Sequence, residues 1–186
     1  MTAARSLLVV FAALALGGCD ILASDNDDRA PDAELIVGAW TGTGVSARVD
    51  VPVVGVQSVP ILGISASAFG ASFQTSAVTL DFDPDDDATI GFPDGTPGIP
   101  EDFSIPLPNE VSVSGTYSLN DSAGTLTLTR AGIPQDLVLG YRLRSETSLE
   151  IIAEDAEAFA QLLGIIGGDA EALAGVVSGG SIRYRK

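Results

Sequence analysis

Histidine is absent from the 186 residues, cysteine occurs once at Cys19, lysine once at Lys186 and tryptophan once at Trp40. Without an imidazole the chain cannot assemble a Ser-His-Asp triad, and a lone thiol supplies neither a zinc-binding set nor an internal disulfide. Basic residues are scarce, 9 against 25 acidic ones, for a net charge of -16. Nucleic acid is therefore not an expected partner, because a phosphate backbone needs a basic face. There is no glycine-rich phosphate loop, and the carboxylates that could serve glycosidase-type chemistry cluster in segments where charge is ordinarily just solvated. The chain is expected not to be an enzyme. Its acidity reads as a hydrated surface suited to salty surroundings.

What is present begins with Arg5, then the ten apolar residues from Leu7 to Leu16, then Gly17, Gly18 and Cys19. About 20 residues are needed to cross a bilayer as a helix, so this run has instead the three-part layout of a secretory signal. The four residues LGGC, Leu16 to Cys19, resemble the lipobox of bacterial lipoproteins. The resemblance implies a signal peptide over residues 1–18, cleaved so that Cys19 becomes the first residue. Its thiol would take a diacylglyceryl group and its amine a third chain such as palmitate, with no other cofactor required. Each buried methylene contributes about 0.8 kcal/mol, and two or more chains hold stably. The partner so implied is a membrane of the bacterial cell envelope, reached through the lipid anchor, with the domain facing the periplasm or the exterior. The other reading of the same residues is a soluble secreted protein cut beside an incidental cysteine. Asp20 resembles the sorting residue that retains lipoproteins in the inner membrane of enteric bacteria, but that rule differs between bacteria and leaves inner and outer membrane both open.

Residues 19–34 are poor in apolar side chains, rich in Asp and Ala, and contain Pro31, the composition of a solvated acidic tether. From Leu35 the dominant signal is alternation with period two, which predicts antiparallel strands having one buried face. VTLDFD puts Val78, Leu80 and Phe82 on one side, VSVSGTYSL and TLTLT flank the turn NDSAG as a hairpin, and LVLGYRLR, SLEII and SIRYR follow. Val51 to Thr79 carries no charge and is expected to be buried or to line an opening. Pro93 to Pro108, with five prolines, cannot be a central strand. Glu154 to Val177 switches to helical spacing around Phe159, Leu162 and Leu163 and predicts a helical hairpin, with Asp169 capping its second arm.

The fold expected for residues 35–186 is all-β and mainly antiparallel, a meander barrel of about 8–10 strands with a short helical insertion before the last strand; a β-sandwich is the alternative. LIVGAW, with Gly38 and Trp40 at the start of this region, resembles the Gly-x-Trp opening of lipocalins and of small lipocalin-like lipoproteins of bacteria. The resemblance implies that Trp40 plugs the closed end of a barrel beneath an arginine of the last strand, for which Arg183 and Arg185 are the candidates. It also implies a small apolar ligand inside, although inward Val, Leu, Ile, Phe and Tyr would equally make a filled core of a non-catalytic structural or interaction lipoprotein. One segment has calcium-loop spacing: Asp83, Asp85, Asp87 and Asp94 fall at positions of hard oxygen ligands. Ala88 stands where such a loop needs glycine and Pro84 intrudes, so the competing reading is a charged hairpin turn between VTLDF and ATIGF. Oligomeric state is left open.

Overall fold

Side chains alternate across a strand, so the strands of this chain take shape wherever apolar residues recur every second position. The computed structural model describes residues 31–107, 110–130, 135–165, 172 and 175–186. Its strands are β1 (Gly38–Val51), β2 (Gly55–Pro60), β3 (Phe69–Phe73), β4 (Ala77–Phe82), β5 (Thr89–Ile90), β6 (Ile105–Pro106), β7 (Val111–Asn120), β8 (Thr125–Thr129), β9 (Leu137–Ser145), β10 (Ser148–Ala153) and β11 (Gly179–Arg185). Two α-helices are described, α1 (Asp32–Leu35) and α2 (Ala156–Ile165), with a single 3-10 turn over Ala66–Ala68. The signal segment, Cys19, Asp20, most of the tether and the second helical arm around Asp169 lie outside the described residues. The compact unit begins at Asp32, ahead of the expected start at Leu35, because α1 packs with it.

Strands β1, β3, β4, β7, β8, β9, β10 and β11 pair antiparallel in that order, and β11 returns to β1, closing an eight-stranded barrel. In a sandwich β1 and β11 would be edges. Here Thr41 to Arg48 of β1 pair with Gly179 to Arg185 of β11, with a register shift between Gly42 and Gly44. Such a bulge sharpens the local twist and bends the strand, as closure demands.

Short turns over residues 74–76, 121–124 and 146–147 mark one end of the barrel, and the long connections mark the other. At the long-loop end β5 and β6 pair with each other and bury Ile90 and Ile105. The segment Asp83 to Ala88 therefore does not join a hairpin: β4 is bonded to β3 and β7, not to β5. Helix α2 covers the same end. The Asp155 carboxylate accepts the Ala158 amide at 2.7 Å as its N-cap, and Phe159, Leu162 and Leu163 are buried. Phe159 lies so close to β11 that a Cβ on Gly180 would come within 2.3 Å of its ring. A glycine is required there by contact, since any side chain would push the helix off the barrel.

The uncharged stretch Val51 to Thr79 divides in two. Phe69, Ala71 and Phe73 on β3 are buried as expected. Strand β2 is not: it pairs only with β1, and Val53, Val54 and Val56 are exposed. The cause is the length of β1, whose pairing with β11 ends at Arg48 while the strand runs on to Val51. Beyond that point β1 and β2 run on as a two-stranded arm, in which Val49 is still buried while the tip, with Val53, Val54 and Val56, is exposed.

Candidate functional site

Inside the barrel the inward residues belong to one continuous apolar cluster that runs from Trp40 and Phe73 at the turn end to Phe159 and Leu163 at the helix end. Phe73, Phe82, Leu126, Leu139, Leu149, Ile151, Phe159 and Ile182 expose 2% or less of their surface, so no water-sized void adjoins them. Aromatic pairs knit the cluster: Phe69 and Phe82 have ring centres 5.1 Å apart, and Phe73 meets Tyr117 edge-on at 5.0 Å.

At the turn end Trp40 is buried and its indole N–H donates to the Ile36 carbonyl at 2.6 Å. A cation does lie over this ring, and it is Lys186, with Nζ 4.7 Å from the ring centre. Its ammonium also donates to the Leu35 carbonyl at 2.6 Å. Gly38 makes the crossing possible: its φ of +134° is unfavourable for other residues, and a Cβ there would sit 3.0 Å from Lys186 Cε. The glycine of the Gly-x-Trp pattern thus leaves room for the lysine stem that crosses to the tryptophan. Arg183 and Arg185 do not take this role, which corrects the sequence-based expectation. Ile182 and Tyr184 are the buried residues of β11, so alternation turns both arginines to the outer wall, where they are exposed.

A second link at the same end joins α1 to the barrel. The Tyr141 hydroxyl lies 2.7 Å from Asp121 Oδ1 and 3.1 Å from Asp32 Oδ2. Burial, and then the two carboxylates, push the phenol well above its ordinary value. Tyr184 is raised by burial alone, and Tyr117 likewise. Sequence reasoning missed Tyr141, Asp32 and Lys186 as participants. Lys186 was detectable, since it shares the parity of Tyr184 and is the only lysine; the other two come together through tertiary structure, with Asp32 assigned to a tether and Asp121 to a turn.

The acidic loop brings together less than its spacing suggests. Among the described residues no three carboxylates are grouped to hold a metal ion, so Asp83, Asp85, Asp87 and Asp94 do not converge. Between Asp87 and Asp94 the segment contributes β5, which pairs with β6 rather than with β4. Asp87 takes a left-handed φ of 62°, ending a turn in which the Ala88 amide donates to the Asp85 carbonyl at 3.2 Å. No family model, curated protein or solved structure matches this chain.

Two outcomes are expected from this geometry. Replacing Lys186 with Met should shift the Trp40 emission and lower stability by about 1 kcal/mol, the scale of a partly exposed cation–π contact, whereas Arg183→Ala should leave the emission unchanged. Tyrosine ionisation should lag in the folded protein: the unfolded chain releases phenolic protons near pH 10, while all three native tyrosines hold theirs to higher pH. Their stabilising contribution is fully present below about pH 10 and is lost as pH climbs toward the raised native values. Phenolate absorbance that follows unfolding fits this; a tyrosine titrating near pH 10 in the native state contradicts it.

Proposed function

We propose that this chain is a lipid-anchored lipoprotein of the bacterial envelope whose barrel is a filled, non-catalytic scaffold, working through its outer wall and loops. The observation that carries the scaffold reading is the set of fully buried inward side chains, which occupy the volume a carrier would reserve for its ligand. Trp40 under Lys186 at one end and Phe159 of α2 at the other add to it. The anchor reading is supported by LGGC at Leu16 to Cys19, by the short apolar run before it and by the acidic, apolar-poor segment after it. The barrel and its Gly38–Trp40 opening are compatible with a lipocalin-like lipoprotein. No helix among the described residues is long and apolar enough to cross a membrane.

Mass spectrometry of the protein extracted from host membranes should find Cys19 as the first residue carrying diacylglyceryl and an N-acyl chain, and Cys19→Ala should leave the membrane fraction. A mature N-terminus elsewhere with a free thiol defeats the anchor. Native mass spectrometry of the same sample should show the bare mass of the lipidated chain. A retained stoichiometric apolar molecule would favour a carrier instead.

A further inference from the structure

Four of the nine basic residues of this acidic chain, Arg142, Arg144, Arg183 and Arg185, share one patch of the outer wall, on β9 and β11. Register explains the gathering. Glu150 of β10 is paired with Arg142 on one side and Arg183 on the other, and Ser148 is paired with Arg185. Glu150, with its side chain 14% exposed, holds Arg144 at 3.0 Å and Arg142 at 3.9 Å. Arg183 and Arg185 have no carboxylate partner among the described residues. The backbone is shaped for Arg183: its guanidinium lies against Gly44, where a Cβ would be 2.8 Å from Nη2, beside the bulge of β1. Between these groups lies an open groove of roughly 480 Å3, lined by Arg144, Arg183, Arg185 and the carboxylate-bearing Glu150, with the hydroxyl-bearing Thr43, Thr147 and Ser148.

We infer that this groove is a phosphate-binding site. Guanidinium groups fork onto phosphate oxygens with two parallel, charge-assisted hydrogen bonds, and the hydroxyls of Thr147 and Ser148 add donors for the remaining oxygens, while that of Thr43 donates to the Arg183 carbonyl at 3.2 Å. Three arginines against Glu150 leave the groove locally cationic on a molecule that is otherwise strongly anionic, an arrangement that draws an anion to one place. The groove also lies at the end where the chain enters the barrel. The Lys186 amide donates to the Thr147 carbonyl of the groove at 3.3 Å, while its ammonium reaches Leu35 of α1. A lipid headgroup and a soluble phosphate ester both present the required chemistry. Only the headgroup as source rests on the anchored reading; the site itself does not.

Inorganic phosphate titrated into the full chain at constant ionic strength, with the arginine Nε–H signals followed by NMR, tests the site. The signals of Arg144, Arg183 and Arg185 should shift saturably while those of Arg48 and Arg130 stay still. Arg183→Ala with Arg185→Ala should weaken binding about tenfold or more, the scale of losing charge-assisted hydrogen bonds. Glu150→Gln removes the carboxylate from the wall and should tighten binding, a gain that a damaged fold would not produce. A second arm replaces phosphate with bilayer discs. The same signals moving in phosphatidylglycerol discs but not in phosphatidylcholine discs identify a headgroup, and movement with free phosphate alone identifies a soluble ester. Shifts no larger than those of the chloride control in both arms overturn the site.

Discussion

The pairing of β1 with β11 is the constraint on which the rest of this molecule depends. It joins the first and last strands of the unit, so every contact inside the barrel presupposes it. Without it both strands would present unpaired N–H and C=O groups, and the inward faces would open to water. Closure also has a local consequence. It brings the C-terminal residue to the N-terminal end of β1, where Lys186 crosses Gly38 to lie over Trp40 and to hold the Leu35 carbonyl. Plug, lid and seam are therefore one arrangement. At the opposite end the seam carries Gly180, whose missing side chain admits Phe159 of α2.

Much of this wall was legible in the residues. VTLDF, TLTLT and LVLGYRLR alternate so regularly that only a half-buried strand suits them, and β4, β8 and β9 lie where the pattern places them. The N-cap of α2 sits at Asp155, inside the segment whose spacing turned helical. Legibility ended where long-range pairing decides. The 14 residues of β1 form one strand although glycines at 42 and 44 interrupt the apolar alternation, because the strand continues through a bulge that only its pairing with β11 reveals. Lack of charge from Val51 to Thr79 suggested burial or the lining of an opening, but β2 has a single neighbour, and Val53, Val54 and Val56 stay in solvent while Val59 packs partly against the core. At the plug an arginine of the last strand was expected, but Arg183 and Arg185 have the outward parity of β11, and Lys186, which shares the parity of Tyr184, lies over Trp40 instead.

Charge is distributed unevenly over the outside. Acidic residues crowd the loops of the long-connection end, including Asp83, Asp85, Asp86 and Asp87, while arginines occupy the wall of β9 and β11 next to the turn end. At the turn end α1 is held by the Tyr141 hydroxyl between Asp32 and Asp121, so the start of the folded unit is fixed beside that wall. The arginine face lies near the point of chain entry, and the acidic loops and the β1–β2 arm lie at the far end.

Closure can be measured directly by native-state hydrogen exchange along the seam. A closed barrel predicts that amides of the β1–β11 ladder, between Thr41 and Arg48 and between Gly179 and Arg185, exchange only through global unfolding, with protection equal to the total stability. Ladder amides exchanging through a local opening well below that stability, while β7 and β8 stay protected, would contradict the account and describe an open sheet.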